Sequence, residues 1–356
     1  MNDSHIHHDL SPAGAVFGNY SGFEMPMHFG NITTEYAAAT QRCGVVDLSH
    51  RGKITMSGAD RQTFLHRIVT NDISGLGPGD GTYACILSPQ GKILSDMTVY
   101  VRATDLLIDT EPGMAAVLQE ILERYALMDD VSMNDATATM GMIGLRGPEA
   151  SACLSRLGLT FDTADPMCHF TAEIGDQEVT VAVNSNTGTT GYDLFVQNEG
   201  LSTLWTTLMA CGAVPVGLES LEILRVEAGI PRYGAELDER IIPNEAVKER
   251  AVSFDKGCYI GQEPVVMMEH RGRPNRVLSG LKVLGDIVPK KDAVLQKDGQ
   301  EAGWITSAVR SQWEDGVIAL GFIRRKYMNH GDRITLAMEG GSTEAEIVPL
   351  PFHEIT

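Results

Sequence analysis

Apolar positions along the first two thirds of the chain follow two periods that alternate in no fixed order. After Asp60, the residues Phe64, Leu65, Ile68 and Val69 recur at helical spacing, and the pattern ends near Asn71-Asp72. An aspartate ahead of such a run is a helix-start signal, because its carboxylate can accept from the first free backbone amides. Met114 to Met128 repeats the spacing through Val117, Leu118, Ile121, Leu122 and Tyr125. Pro148 opens a short helix to Leu154, and Leu201 to Met209 places Leu201, Leu204, Trp205 and Leu208 on one side. Leu218 to Ala228 is the last strong helix, stopped by Gly229 and Pro231. Between these lie strand patterns rich in β-branched and aromatic residues: Ile93 to Val101, Leu106 to Asp109, Met140 to Leu145, Val179 to Val183 and Tyr192 to Val196. Helices and strands interleave without regular βαβ spacing, which predicts an α+β region over residues 17–273 rather than a doubly wound sheet. Beyond Arg273-Pro274 the texture changes. Val277 to Val283, Ala302 to Val309 and Val317 to Ile323 are strands divided by charged turns, which predicts a small all-β domain over residues 274–356. Residues 1–16 are polar at the start and carry His5, His7 and His8, and read as a flexible tail.

Composition narrows the function. A chain of 356 residues is too long for one compact core, and 43% apolar residues suffice for several. The net charge of −19 and pI near 4.9 argue against general nucleic-acid binding, which leans on clustered Lys and Arg. No apolar run is long enough to span a bilayer and no secretory pattern opens the chain, so no membrane and a cytoplasmic location are expected. The six cysteines, Cys43, Cys85, Cys153, Cys168, Cys211 and Cys258, include no CxxC pair. They read as reduced thiols, with no metal ligand set expected from this chain alone.

The segment from Lys256 to Glu263, Lys-Gly-Cys-Tyr-Ile-Gly-Gln-Glu, is the densest cluster of chemistry-bearing residues. Lys256 could raise the thiolate fraction of Cys258, with Gly257 and Gly261 allowing close backbone approach. The plainer reading is a turn whose cysteine packs as a small hydrophobe. The segment resembles the signature of the YgfZ-type branch of the folate-binding T-protein superfamily, which supports iron–sulfur enzymes. Ile242-Pro-Asn-Glu, Ser253-Phe254, Arg271-Gly272 and Arg276-Val277-Leu278 fit the same pattern.

A second block, Tyr20-Ser-Gly-Phe, Met25-Pro-Met-His and Gly44-Val-Val-Asp-Leu-Ser-His50, resembles glycine-cleavage T-proteins, the aminomethyltransferases. Gly91-Lys-Ile-Leu-Ser-Asp96, Gly191-Tyr-Asp193 and Leu224-Arg-Val-Glu-Ala-Gly229 extend it. The resemblance implies a three-domain ring, with two interleaved α+β domains, a C-terminal β-barrel or jelly roll, and tetrahydrofolate in the central hole. It also implies a carboxylate on the pterin edge at Asp193 and an arginine beside the pterin at Arg225. An ordinary helix salt bridge from Arg225 to Glu222 is the competing reading. Tyr83 and Tyr100 could line the cavity or simply pack. Ser95 stands where T-proteins carry the first of two adjacent aspartates, taken as the catalytic one. Asp96 remains as the acidic candidate, on the opposite face of the strand.

Two functions follow. The leading expectation is a tetrahydrofolate-binding accessory protein for iron–sulfur cluster assembly, insertion or repair, with Cys258 as its working thiol and client enzymes or assembly proteins as partners. The alternative is a folate-dependent one-carbon transferase: an aminomethyltransferase partnered by a lipoyl carrier protein, or a demethylase of the same fold. Loss of the carboxylate at Ser95 is expected to impair aminomethyl transfer.

Overall fold

Three sheets and a closed six-stranded barrel carry the chain in the computed structural model. It describes all residues except Met1, His5, 161–164, Ser185, Thr190, 339–340 and 354–356. The central sheet runs in the order His169–Ile174, Gln177–Val183, Gly191–Gln197, Met140–Arg146, Gly44–Asp47 and Val214–Pro215, antiparallel except for the last pair. A second, antiparallel sheet has the order Gly81–Leu87, Ile93–Val101, Leu106–Thr110, Gly52–Ser57 and Ser132–Asp135. The barrel closes through Arg276–Val283, Val317–Arg324, Gln300–Arg310, Val294–Lys297, Arg333–Met338 and Gly341–Val348. The architecture is therefore α+β with a C-terminal barrel, as the change of texture after residue 275 implies.

Alternation on two strands sets the position of the functional cavity. On Gly191–Gln197, Tyr192, Leu194 and Val196 enter one core while Phe195 enters another with Tyr100, Met142 and Leu48. On Ile93–Val101, Met97, Val99 and Val101 pack into the core of the second sheet. Asp96, Thr98 and Tyr100 therefore face the central sheet, since successive side chains point to opposite faces. The two sheets meet across this face, and the helix Leu218–Glu227 closes the junction.

That helix also ties the barrel on. Glu227 accepts from the Tyr36 hydroxyl at 2.7 Å, the Ser311 hydroxyl at 2.5 Å and the Gln312 amide at 3.1 Å. One buried carboxylate thus collects donors from a helix and a barrel loop, which offsets the desolvation of its charge.

Several local expectations are revised. The opening residues pack instead of forming a loose tail, because Ile6 and Leu10, four residues apart around the helix His7–Leu10, are buried in the central-sheet core. Met1 and His5 lie outside the described residues. The helix after Asp60 covers only Arg61–His66, and Val69 instead bridges to Ile86. The helix from Met114 ends at Glu123, leaving Leu127 and Met128 exposed while the chain beyond is pinned by an Asp130 amide donating to Asp60 at 2.8 Å. The hairpin Val16–Tyr20/Phe23–His28 and the helix Gln262–Arg271 were not foreseen.

Candidate active site

The junction encloses about 910 Å³ of free space open to solvent, lined by residues of both sheets, the helix Leu218–Glu227 and the loop 230–232. Apolar plates come from Leu48, Met142, Leu218 and Leu221, and the polar lining includes Asp96, Glu111, Asn184, Asp193, Arg232 and Arg250.

Asp96 is the carboxylate best placed for chemistry. It is buried, and the Tyr83 hydroxyl donates to its Oδ2 at 2.7 Å. Burial, with the Glu111 charge second, pushes its pKa up to about 6; the Tyr83 hydrogen bond and the Arg51 charge oppose the rise. A carboxylate poised this close to neutrality is suited to moving a proton or balancing a developing cation.

Ser95 is on the other face. It is fully buried, does not line the cavity, and its hydroxyl bonds the Asp96 carbonyl at 3.1 Å and approaches the Thr110 hydroxyl at 3.3 Å. Asp96 is thus the member of the adjacent pair whose side chain faces the cavity. Serine at 95 therefore removes no charge from the cavity.

The other predicted residues separate. Tyr83 and Asp193 reach the cavity wall. Both Asp193 oxygens are already engaged, Oδ1 by Arg146 Nη2 at 2.7 Å and Oδ2 by Asn184, so Asp193 orders these two side chains. Arg225 also lines the wall, yet its donors are committed to Glu222, Glu236 at 2.8 Å, Ser307 at 2.7 Å and the Ile230 carbonyl at 3.0 Å. The salt-bridge reading of Arg225 is the one the geometry supports, with Glu236 as a further partner. Tyr100 lies deeper, edge-on to Phe195 with ring centroids 5.5 Å apart, and packs instead of lining the cavity. Arg51 forks onto Asp109 at 2.7 and 2.8 Å and reaches Glu111 at 2.6 Å, which fixes the wall beside Asp96.

Cys258 is exposed and lies outside the cavity. Lys256 does not serve it: its amine donates to the carbonyls of His66, Val69 at 2.7 Å and Asn71 at 2.9 Å, capping the end of the helix Arg61–His66. Tyr259 is buried, and at Gly261, with φ of 75°, a Cβ would meet the Ser88 carbonyl at 2.3 Å. Gly261 docks this segment against the end of the strand Gly81–Leu87, and Lys256 ties it to the end of the helix Arg61–His66.

Sequence reading missed His50 and Arg232 as cavity residues. His50 is buried with Nδ1 unpartnered, and burial, aided by the neighbouring cations, holds its pKa well below the usual histidine range. The Arg232 guanidinium sits 5.6 Å from the Tyr20 ring centroid, with Nε 3.9 Å from a Glu222 carboxylate oxygen and without a hydrogen bond. His50 falls inside a block of family resemblance, but no local pattern marks Arg232.

Comparison with known proteins agrees with this geometry. Residues 6–256 match the model of the GCVT N-terminal domain, and residues 276–354 match the glycine cleavage T-protein C-terminal barrel domain. The chain belongs to the glycine cleavage T-protein family. An aminomethyltransferase of Chlorobium phaeobacteroides is 31% identical over 99% of this chain and 98% of its own length. One from Geobacillus kaustophilus is 29% identical over 96% and 95%. The crystal structure of glycine cleavage system aminomethyltransferase T from Bartonella henselae superposes with a TM-score of 0.91 over 99% of this chain and 98% of that one, at 24% identity, and so shows the fold. T-protein aminomethyltransferases use tetrahydrofolate, in line with the folate expectation. The iron–sulfur reading is overturned: the relatives that match end to end are named aminomethyltransferases, and the segment that suggested otherwise is a docking turn. Among the described residues no helix is long and apolar enough to cross a membrane.

Proposed function

We propose that this protein is a tetrahydrofolate-dependent aminomethyltransferase of the glycine cleavage type, accepting its one-carbon unit from a lipoyl carrier protein. The observation that carries the reading is Asp96: a buried carboxylate on the cavity wall with a pKa near 6, in a chain alike end to end with aminomethyltransferases.

The lining fits a reduced pterin. Leu48, Met142 and Leu218 offer apolar surface to a flat ring, while His50 Nδ1 and Arg232 Nε are polar atoms beside it that make no hydrogen bond among the described residues. Arg250, exposed at the open side and bonded to Asn186 at 2.8 Å, suits the carboxylates of a glutamate tail. Tetrahydrofolate supplies the amine nitrogens that take up the carbon. Asp96 acts on the reacting centre: ionised, it balances positive charge in the transition state, and it can accept a proton as the amine is consumed. Tyr83 holds one carboxylate oxygen in place, and the Arg51–Asp109–Glu111 cluster fixes the wall around it.

Incubating the protein with an aminomethyl-loaded lipoyl carrier should release ammonia only when tetrahydrofolate is present. Ammonia release at the same rate without folate, or none with it, would overturn the proposal.

A further inference from the structure

Arg232 differs from other arginines of the cavity wall in what its guanidinium is bound to. Arg51, Arg146 and Arg225 each donate to a carboxylate at hydrogen-bond distance. Arg232 Nη1 stands 4.0 Å from Glu111 Oε2 and Nε 3.9 Å from Glu222 Oε2, both beyond hydrogen-bond reach, and Nε makes no hydrogen bond. Each of these carboxylates has a closer cation, Arg51 for Glu111 and Arg225 for Glu222.

The main chain at Arg232 is pinned by contrast. Its carbonyl accepts from the amides of Ala235, Glu236 and Leu237 at 3.1, 3.0 and 3.1 Å. Its own amide donates to a Glu236 oxygen at 3.1 Å, and Pro231 fixes the preceding φ. The side chain lines the cavity with the Tyr20 ring 5.6 Å away, and 26% of it is exposed. A fixed backbone thus presents to the cavity a guanidinium with donor capacity to spare.

The surroundings limit what that guanidinium can receive. It only donates, so the ligand atom beside it is an acceptor. Two glutamates at about 4 Å would repel an anion, which leaves the carboxylates of a glutamate tail to Arg250 at the open side and points to a neutral oxygen here. Arg232 and Glu111 offer a donor and an acceptor side by side, the complement of a cyclic amide edge with C=O next to N–H. In a reduced pterin that edge is the 4-oxo group and N3–H.

We propose that Arg232 is the specificity-determining residue for the 4-oxo group of the pterin, its guanidinium donating to that oxygen while Glu111 accepts from the adjacent N3–H. The inference rests on the tetrahydrofolate reading above and names the side chain that reads one edge of the ring. A 4-amino ring would turn a donor toward Arg232 and a bare N3 toward Glu111, so both contacts would be lost and both partners left unpaired.

The test is calorimetry at about pH 8 with tetrahydrofolate and with its 4-amino counterpart, tetrahydroaminopterin, on the full-length protein. Wild type should prefer the 4-oxo ring by about a hundredfold, and Arg232→Met should cut that preference by about tenfold. Arg232→Lys, which keeps a charge between the two glutamates but not the fork, should retain part of the preference, and it remains informative if the methionine variant does not fold. A merely structural arginine would lower both affinities by the same factor. Equal binding of the two rings by wild type, or a preference unchanged in the folded variants, overturns the inference alone. No binding of tetrahydrofolate to wild type would overturn the transferase reading and this inference with it.

Discussion

Replacing Asp96 with asparagine should make the protein more stable and less active. Asp96 is 6% exposed, and its pKa stands at about 6 against 3.8 for the free side chain. The difference of about 2 pK units corresponds to about 3 kcal/mol disfavouring the ionised form in the folded state. The sign follows from proton binding. The folded state holds this proton more tightly than the unfolded state, so stability is greatest below pH 3.8 and falls as the pH rises through 6. Above pH 7 the whole cost is present. Asparagine is nearly isosteric, can still accept from the Tyr83 hydroxyl, and carries no charge to desolvate. Urea unfolding at pH 8 should therefore show Asp96→Asn more stable than wild type by up to about 3 kcal/mol, shrinking to about half that at pH 5. Turnover should fall by about a hundredfold or more at both pH values. The wild-type pH–rate profile should rise with an inflection near 6, and this limb should vanish in the variant. A variant no more stable than wild type at pH 8, or a stability gain independent of pH, would refute the claim that burial holds Asp96 at the edge of neutrality.

Ser95→Ala should leave aminomethyl transfer within about twofold of wild type, because the hydroxyl meets the Asp96 carbonyl and the Thr110 hydroxyl and does not line the cavity; steady-state kinetics check this. Arg225→Met should destabilise the protein by about 3–5 kcal/mol in denaturant unfolding, since it strands the fully buried Glu236 carboxylate without its cation. Lys53 is fully buried, donates to the Ser49 carbonyl at 2.8 Å, and is held by burial at a pKa of about 8 against the usual 10.5. The folded state therefore binds this proton less tightly, so the cost is present below pH 8 and stability should rise by up to about 3 kcal/mol towards pH 10.5. Thermal melts of Lys53→Met should lack that rise. Cys258→Ser should match wild type in both melting temperature and turnover.

How far the sequence could be read depended on whether the signal was local. The barrel showed itself through strands between charged turns, and Leu218–Glu227 through its apolar spacing and the Gly229-Pro231 stop. The N-terminal hairpin stayed hidden because its apolar positions alternate weakly and its turn, Ser21-Gly22, is marked only by positive φ at both residues. Ile6 and Leu10 are two apolar residues in a polar stretch, and only the finished core shows what they fill. At the site, alternation correctly separated Ser95 from Asp96. Which face looked into the cavity depended on how two sheets pack, and no strand pattern encodes that. For Arg225 the sequence shows the Glu222 partner at i−3, whereas Glu236 and Ser307 join it only after folding. The Lys256–Glu263 segment misled for a related reason: Lys256 lies two residues from Cys258, but its amine turns to the carbonyls of the helix Arg61–His66.

The most direct test of the account is ammonia release from an aminomethyl-loaded lipoyl carrier with tetrahydrofolate, measured side by side for wild type, Asp96→Asn, Ser95→Ala and Cys258→Ser. The account predicts folate-dependent turnover in wild type, Ser95→Ala and Cys258→Ser, with a loss of about a hundredfold or more confined to Asp96→Asn. Turnover that survives in Asp96→Asn and disappears in Ser95→Ala or Cys258→Ser would contradict it.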